Sequence, residues 1–186
     1  MLNLAVNGYT RQQVIDSLHG RGGSRGIVKF RYELMSKDDV TLGELTAQPG
    51  RVSLNSLAEI KRTAVFQVTE QEGKDIDWLS DRIRPVFCLQ MPGGLAEWPL
   101  GVFLLSSPTR QDDNKQMKRS IEAYDSSLIL KEDRFTDRYR IASGEKYTTA
   151  ITNILNGAGI WKINILEHPG TLAVDKEFEI GTEKLF

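Results

Sequence analysis

Cys88, His19 and His168 are the residues of this sequence closest to a nucleophile with its base, because a thiol attacks once an imidazole has taken its proton. Cys88, however, lies in the apolar run 86–89, where a thiol reads as a small buried hydrophobe, and His19 adjoins a glycine-rich stretch. No thiol hydrolase is expected. Neither histidine stands in an HxxxH, HExxH or CxxC arrangement, so no zinc site and no cofactor are expected. Asp75 with Asp77, and Asp112 with Asp113, lack the glycine and closing glutamate of a calcium loop and read as solvated turn carboxylates. Glu122 with Asp125, and Glu132 with Asp133, would supply the two acids of a glycosidase. Lys131 and Arg134 flank the second pair, and surface charge is the plainer reading. Trp78, Trp98 and Trp161 could stack on sugar rings, but each stands in or beside an apolar strand pattern, which makes it core. The glycine-rich residues 20–26 follow no strand and lack a GK[ST] ending, so they read as a linker that offers Arg21 and Arg25 to an acidic partner. No constellation specifies a reaction, and the chain is read as a non-enzyme.

The 186 residues carry 24 Lys+Arg against 25 Asp+Glu, a formal net charge of −1. Domains built to neutralise phosphates carry a basic excess, and this chain has none. Its 40% hydrophobic and 26% charged content is that of a globular protein. A single cysteine forms no intrachain disulfide, so a reducing folding environment is expected. The first residues, MLNLAVNGYTRQQVI, lack the basic start and apolar run of a signal peptide. No apolar stretch approaches the length of a membrane-spanning helix, and no membrane insertion is expected.

The elements that must position any site are mostly strands. TRQQVIDSL predicts a short helix with an N-cap at Thr10, and HGRGGSRG ends it. In IVKFRYEL, Val28, Phe30, Tyr32 and Leu34 alternate with Lys29, Arg31 and Glu33, the pattern of a half-buried strand. Residues 40–45 return as a hairpin arm, and Gln48-Pro49-Gly50 marks a turn. Further strands are predicted over 61–68, 83–90 with Pro85 near its start or on an edge, 98–106 and 117–124. Helices are predicted from 128 and over 147–155, with a strand over 160–166 (IWKINIL). The tail VDKEFEIGTEKLF has no turn or cap behind it, so a further helix is expected to follow Phe186. The fold class is mainly β with some α (α+β): an antiparallel β-barrel over 27–125, preceded by a helix and linker (1–26) and followed by a small α/β module (126–186).

In order along the chain, VSLNSLAEIKRTAVFQV, IDWLSDRIRPVF, EWPLGVFLLSSPTR, RSIEAYDSSLILKEDRF and YTTAITNILNGAGI resemble segments of phage tail-tip and baseplate hub proteins of the tail-associated-lysin type. The resemblance spans about residues 27 to 160. It implies a virion protein assembled in the bacterial cytoplasm, a β-barrel in a ring that is usually a homotrimer, joining the distal tail protein to the tip. The tape-measure protein and passing DNA would be further partners. A cell-wall hydrolase or receptor-binding part often lies further along such chains, so peptidoglycan hydrolysis and carbohydrate binding stand as alternative functions. Val65 and Phe66 put apolar groups on both faces of strand 60–68, which suggests two-sided burial. Lys61, Arg62, Arg82 and Arg84 are the candidates to line a central channel or an interface between subunits.

Overall fold

Period-two alternation over so many segments demands a sheet that buries one face of each strand. The computed structural model describes residues 3–23, 25–69, 75–113 and 116–184. Contacts gather them into two compact units, Met1–Asn55 with Arg62–Asp125, and Ser56–Lys61 with Ser126–Phe186.

The first unit opens with α1 (Arg11–Leu18). Its N-terminus is a capping box: the Gln13 N–H donates to the Thr10 hydroxyl at 3.3 Å, and the Thr10 N–H donates to Gln13 Oε1 at 2.8 Å. Eight strands follow: β1 (Val28–Met35), β2 (Thr41–Leu45), β3 (Ala47–Leu54), β4 (Arg62–Thr69), β5 (Arg82–Met91), β6 (Gly94–Pro99), β7 (Phe103–Asp113) and β8 (Gln116–Tyr124). All their pairings are antiparallel, in the order β2-β1-β5-β7-β8-β4-β3, with β6 attached to β5. The path begins at β2 and ends at β3, and Thr46 alone separates those two strands in the chain. The sheet therefore curls back on itself through one bent strand.

Inside the curl lie Tyr32, Leu34, Leu45, Ala64, Phe66, Val68, Ile83, Phe103, Ile121 and Ala123, all buried. This is the face that alternation picks out on each strand. The same side of β5 and β6 continues outward through Leu89, Met91, Ala96 and Trp98, and α1 covers it there with Val14. The Ser17 hydroxyl pins the helix by donating to the Gln90 carbonyl at 3.1 Å.

The second unit holds α2 (Ser127–Glu132), β9 (Tyr139–Ile141), α3 (Tyr147–Gly157) and β10 (Lys176–Phe178), with β9 and β10 antiparallel. Phe135, Ile141, Ala150, Ile154 and Leu172 form its core, and the Phe135 ring stacks on Tyr139 and on Phe178 at centroid distances of 5.1 and 5.2 Å, the latter two lying 6.5 Å apart. Lys131 on α2 holds residues 56–61 through an ion pair to Glu59 at 2.7 Å.

The mainly β, α+β architecture is the one the sequence predicts, with four local differences. Residues 160–166 alternate but pair with no described strand, because an alternating pattern supplies a face and not a partner. The predicted strand over 98–106 divides into β6 and β7 at residues 100–102, where Gly101 adopts φ +130° and the Leu100 N–H turns to the Pro85 carbonyl. Val65 is 47% exposed, so β4 is buried on one face of this chain and open on the other. Gln48-Pro49-Gly50 does not reverse the chain but lies within β3 as a register shift against β4.

Gly50 is required there by close approach: a Cβ would stand 2.4 Å from the Val65 carbonyl oxygen and 2.7 Å from Phe66 Cβ. Gly50→Ala should lower stability by about 1–3 kcal/mol, the usual cost of forcing atoms into packed space. Urea unfolding checks it against Gly43→Ala, where nothing stands within 4 Å of the added carbon and little destabilisation is expected.

Candidate interaction surface

The register of β1 against β5 sets Glu33 across from Arg84 and Arg31 across from Val86, while β5 against β6 sets Cys88 across from Glu97. These side chains share the face turned away from Tyr32, Leu34 and Ile83, since each is one residue out of step with those positions, and Val86 and Cys88 are buried on it. Opposite charges therefore meet across strands. Glu33 takes Arg84 at 2.5 Å and Arg31 at 3.0 Å, and Arg31 also reaches Glu97 at 3.4 Å. Arg82, on the same side of β5, pairs with Asp39 at 2.9 Å. The Nε atoms of Arg31 and Arg82 are buried with no hydrogen-bond partner among the described residues.

The four basic candidates are thus distributed rather than gathered. Arg82 and Arg84 share β5, each with an acid from elsewhere in the first unit. Arg62 begins β4, separated from β5 in the sheet by β7 and β8; its backbone N–H donates to Asp125 and its guanidinium to the Leu100 carbonyl at 3.4 Å. Lys61 belongs to the second unit, where its ammonium donates to the Ala58 carbonyl at 2.6 Å.

Cys88 is buried on β5, and its thiol donates to Glu97 Oε1 at 3.6 Å. Burial, and after it the Glu97 carboxylate, pushes its pKa above the ordinary 9.0. That is the opposite of what a nucleophile needs. His19 caps the C-terminal end of α1, and His168 Nδ1 accepts the Gly170 N–H at 3.0 Å.

The acids are engaged locally. Asp77 accepts from the Ser80 hydroxyl and the Leu79 N–H, the first of which chiefly lowers its pKa. Asp133 takes Lys184 at 2.6 Å, and that hydrogen bond lowers its pKa too. Asp125 accepts from Arg62, and Glu122 from the Tyr124 hydroxyl. The side chains of Asp112 and Asp113 lie outside the described residues. Among the described residues no three His, Cys, Asp or Glu side chains gather as metal ligands.

Two tryptophans are packed as the sequence predicts. Trp98 is 5% exposed and donates its indole N–H to the Asn3 carbonyl at 3.0 Å; Trp78 is half-buried beneath Arg119, 5.0 Å from its ring centroid. Trp161 is not core. It is 72% exposed, because the segment that carries it forms no ladder.

Sequence reasoning passed over the apolar cavity of the first unit. A space of about 360 Å³ opens between β1 and β3, lined by Phe30, Tyr32, Val52, Phe66, Phe87 and Leu100, with Gly50, Arg51 and Pro85 completing its wall. Phe30 is 42% exposed although it lies in step with buried Tyr32 and Leu34. The signal was available as a strand whose apolar face runs longer than its β2 partner: β1 has eight residues, β2 five.

No family model matches the chain, and no curated protein matches it. Solved structures share its fold. The 43 kDa tail protein of prophage MuSo2 from Shewanella oneidensis superposes with a TM-score of 0.54 at 9% identity, over 84% of this chain and 47% of that one. The tail protein from Neisseria meningitidis MC58 gives 0.50 at 9% identity, over 83% of this chain and 42% of its own. This chain spans less than half the length of either, and the likeness is one of fold.

Two outcomes follow from this chemistry. Glu33→Gln, which leaves Arg31 and Arg84 facing each other across a side chain only 13% exposed, should cost about 1–3 kcal/mol in urea unfolding, between the values for surface and buried pairs. Arg138→Gln breaks a pair exposed at both ends and should change little. Cys88 favours the neutral thiol in the fold, so its contribution is present below pH 9.0 and is lost as pH rises through the raised folded value. Iodoacetamide at pH 8 should label it slowly in native protein and quickly in urea, and Cys88→Ala should flatten the alkaline fall in stability.

Proposed function

We propose that this protein is a structural component of a phage tail, or of a tail-like particle of prophage origin, located at the tail tip or baseplate hub. The observation that carries this reading is the fold shared with two bacterial tail proteins over more than four-fifths of this chain. The ordered resemblance of the five segments between residues 27 and 160 to hub proteins supports the finer assignment.

In this reading the protein is a homo-oligomer, a trimer, and joins the distal tail ring to the tip, with the tape-measure protein and DNA passing through its centre. The open outer face of β4 at Val65 suits burial against a neighbour. Lys61, Arg62, Arg82 and Arg84 line the subunit interface or the channel. The acids that hold Arg82 and Arg84 fix the geometry of those guanidinium groups and offset their charge, so contact with DNA would fall mainly to Lys61 and Arg62.

Particles released on induction of the source bacterium test the assignment. The protein should copurify with assembled tails in a fixed ratio to the tube subunit, and immunogold should mark one end of the tail. Its absence from purified tails, or gold spread along the tube, would overturn the reading.

A further inference from the structure

The cavity between β1 and β3 combines an aromatic wall with one polar corner. Phe30, Val52, Phe66, Phe87 and Leu100 supply the apolar part of its lining, around a space of about 360 Å³. The β1–β5 register sets Phe30 across from Phe87, and the two rings meet edge to face at 5.6 Å. Tyr32, two residues along β1 and so on the same face, tilts against Phe66 at 5.7 Å. Phe30 is 42% exposed, which leaves this wall accessible from solvent. A space of this order suits one small molecule, and small barrels commonly hold a single ligand.

The polar corner offers donors and a positive charge. Tyr32 is 4% exposed, and its hydroxyl oxygen accepts the Gly50 N–H at 2.9 Å. A phenol also has a proton to donate, and no acceptor among the described residues takes it. Gly50 belongs to the lining, so this hydroxyl stands at the cavity wall. Arg51 follows it as the charged residue of the lining, which contains no Asp or Glu. The Arg51 Nε–H donates to the Ser53 hydroxyl at 3.0 Å, and no carboxylate of the described residues pairs with its guanidinium, whereas Arg82 and Arg84 are each held by an acid. The complement of a buried O–H donor beside a guanidinium is an anionic acceptor, and the aromatic wall requires that it be carried on an apolar body.

We propose that this cavity binds one aliphatic carboxylate, a fatty acid of medium chain length, with its tail against Phe30, Phe66, Phe87 and Leu100 and its head group accepting from the Tyr32 hydroxyl and the Arg51 guanidinium. The tail supplies most of the affinity through the apolar area it buries. The head group supplies selection: a cation meets no opposite charge in this lining, and a plain hydrocarbon leaves the buried Tyr32 donor unmatched. The inference is independent of the tail assignment and would hold for this protein in any setting.

Titration calorimetry of the full chain with hexanoate, octanoate, decanoate and decanol, each below the concentration at which it aggregates, tests it. Decanoate should bind one to one, and affinity should rise roughly fourfold with each CH₂ added from hexanoate to decanoate, the worth of one buried methylene. Decanoate should bind about tenfold tighter than decanol, the scale of a charge-assisted hydrogen bond. Arg51→Gln, a change at an exposed side chain, should erase that preference with the circular dichroism spectrum unchanged. Val52→Trp, which fills the cavity, should abolish binding of both; if that variant does not fold, Arg51→Gln decides the matter. No saturable binding of decanoate, equal affinity for decanoate and decanol, or a preference that survives Arg51→Gln would overturn the proposal. So would affinity independent of chain length, or undiminished decanoate binding by folded Val52→Trp.

Discussion

A backbone N–H or C=O taken from water must find a partner, and in a sheet its partner is the neighbouring strand. In the first unit that demand converges on the bend at Thr46. The stretch from Thr41 to Leu54 serves β1 with its first half and β4 with its second, so the two ends of the pairing path are carried by one piece of chain. A flat sheet of these strands would expose its apolar face and leave two edges open. Sharing one strand between both ends brings Tyr32, Phe66, Ile83 and Ile121 into a common interior. The bend also sets the limit of closure, because a strand that leaves β1 early cannot continue to cover it.

Closure is partial on the other side as well. β5 gives β7 only Arg82 and Ile83, since β6 occupies the rest of that edge. The β5–β6 hairpin therefore extends past the curl with its apolar face uncovered by strands, and α1 takes the strands' place through Val14. Helix, hairpin and barrel are thus consequences of one shortage of pairing. Charge follows the same geometry: Glu33 faces Arg84 because of the β1–β5 register. A one-residue slip would send Glu33 to the interior and Leu34 to the surface.

The outer face of β1 and β5 bears paired charges, and Asp77, Asp133 and His168 are engaged in turns and an ion pair. The fold is held in common with two tail proteins more than twice as long as the matched portion. At 9% identity, what persists between such chains is the pattern of burial and pairing rather than side-chain chemistry.

Much of this was legible residue by residue. Alternation marked Tyr32 and Leu34, Ala64, Phe66 and Val68, and Ile121 and Ala123 as interior, and Thr10 marked the N-cap of α1. Local rules reach these because period, turn chemistry and caps depend on neighbours in the chain. Gln48-Pro49-Gly50 misled, since the same residues serve a turn and a bulge, and only the approach of Val65 and Phe66 decides between them. IWKINIL has the face of a strand, yet whether it joins a sheet depends on a free edge elsewhere. Sequence by itself determined which side of each strand is apolar and where the chain can turn. Tertiary structure alone decided which strand lies beside which, how far β1 is covered and where α1 docks, because pairing is a contest among distant edges that no local stretch records.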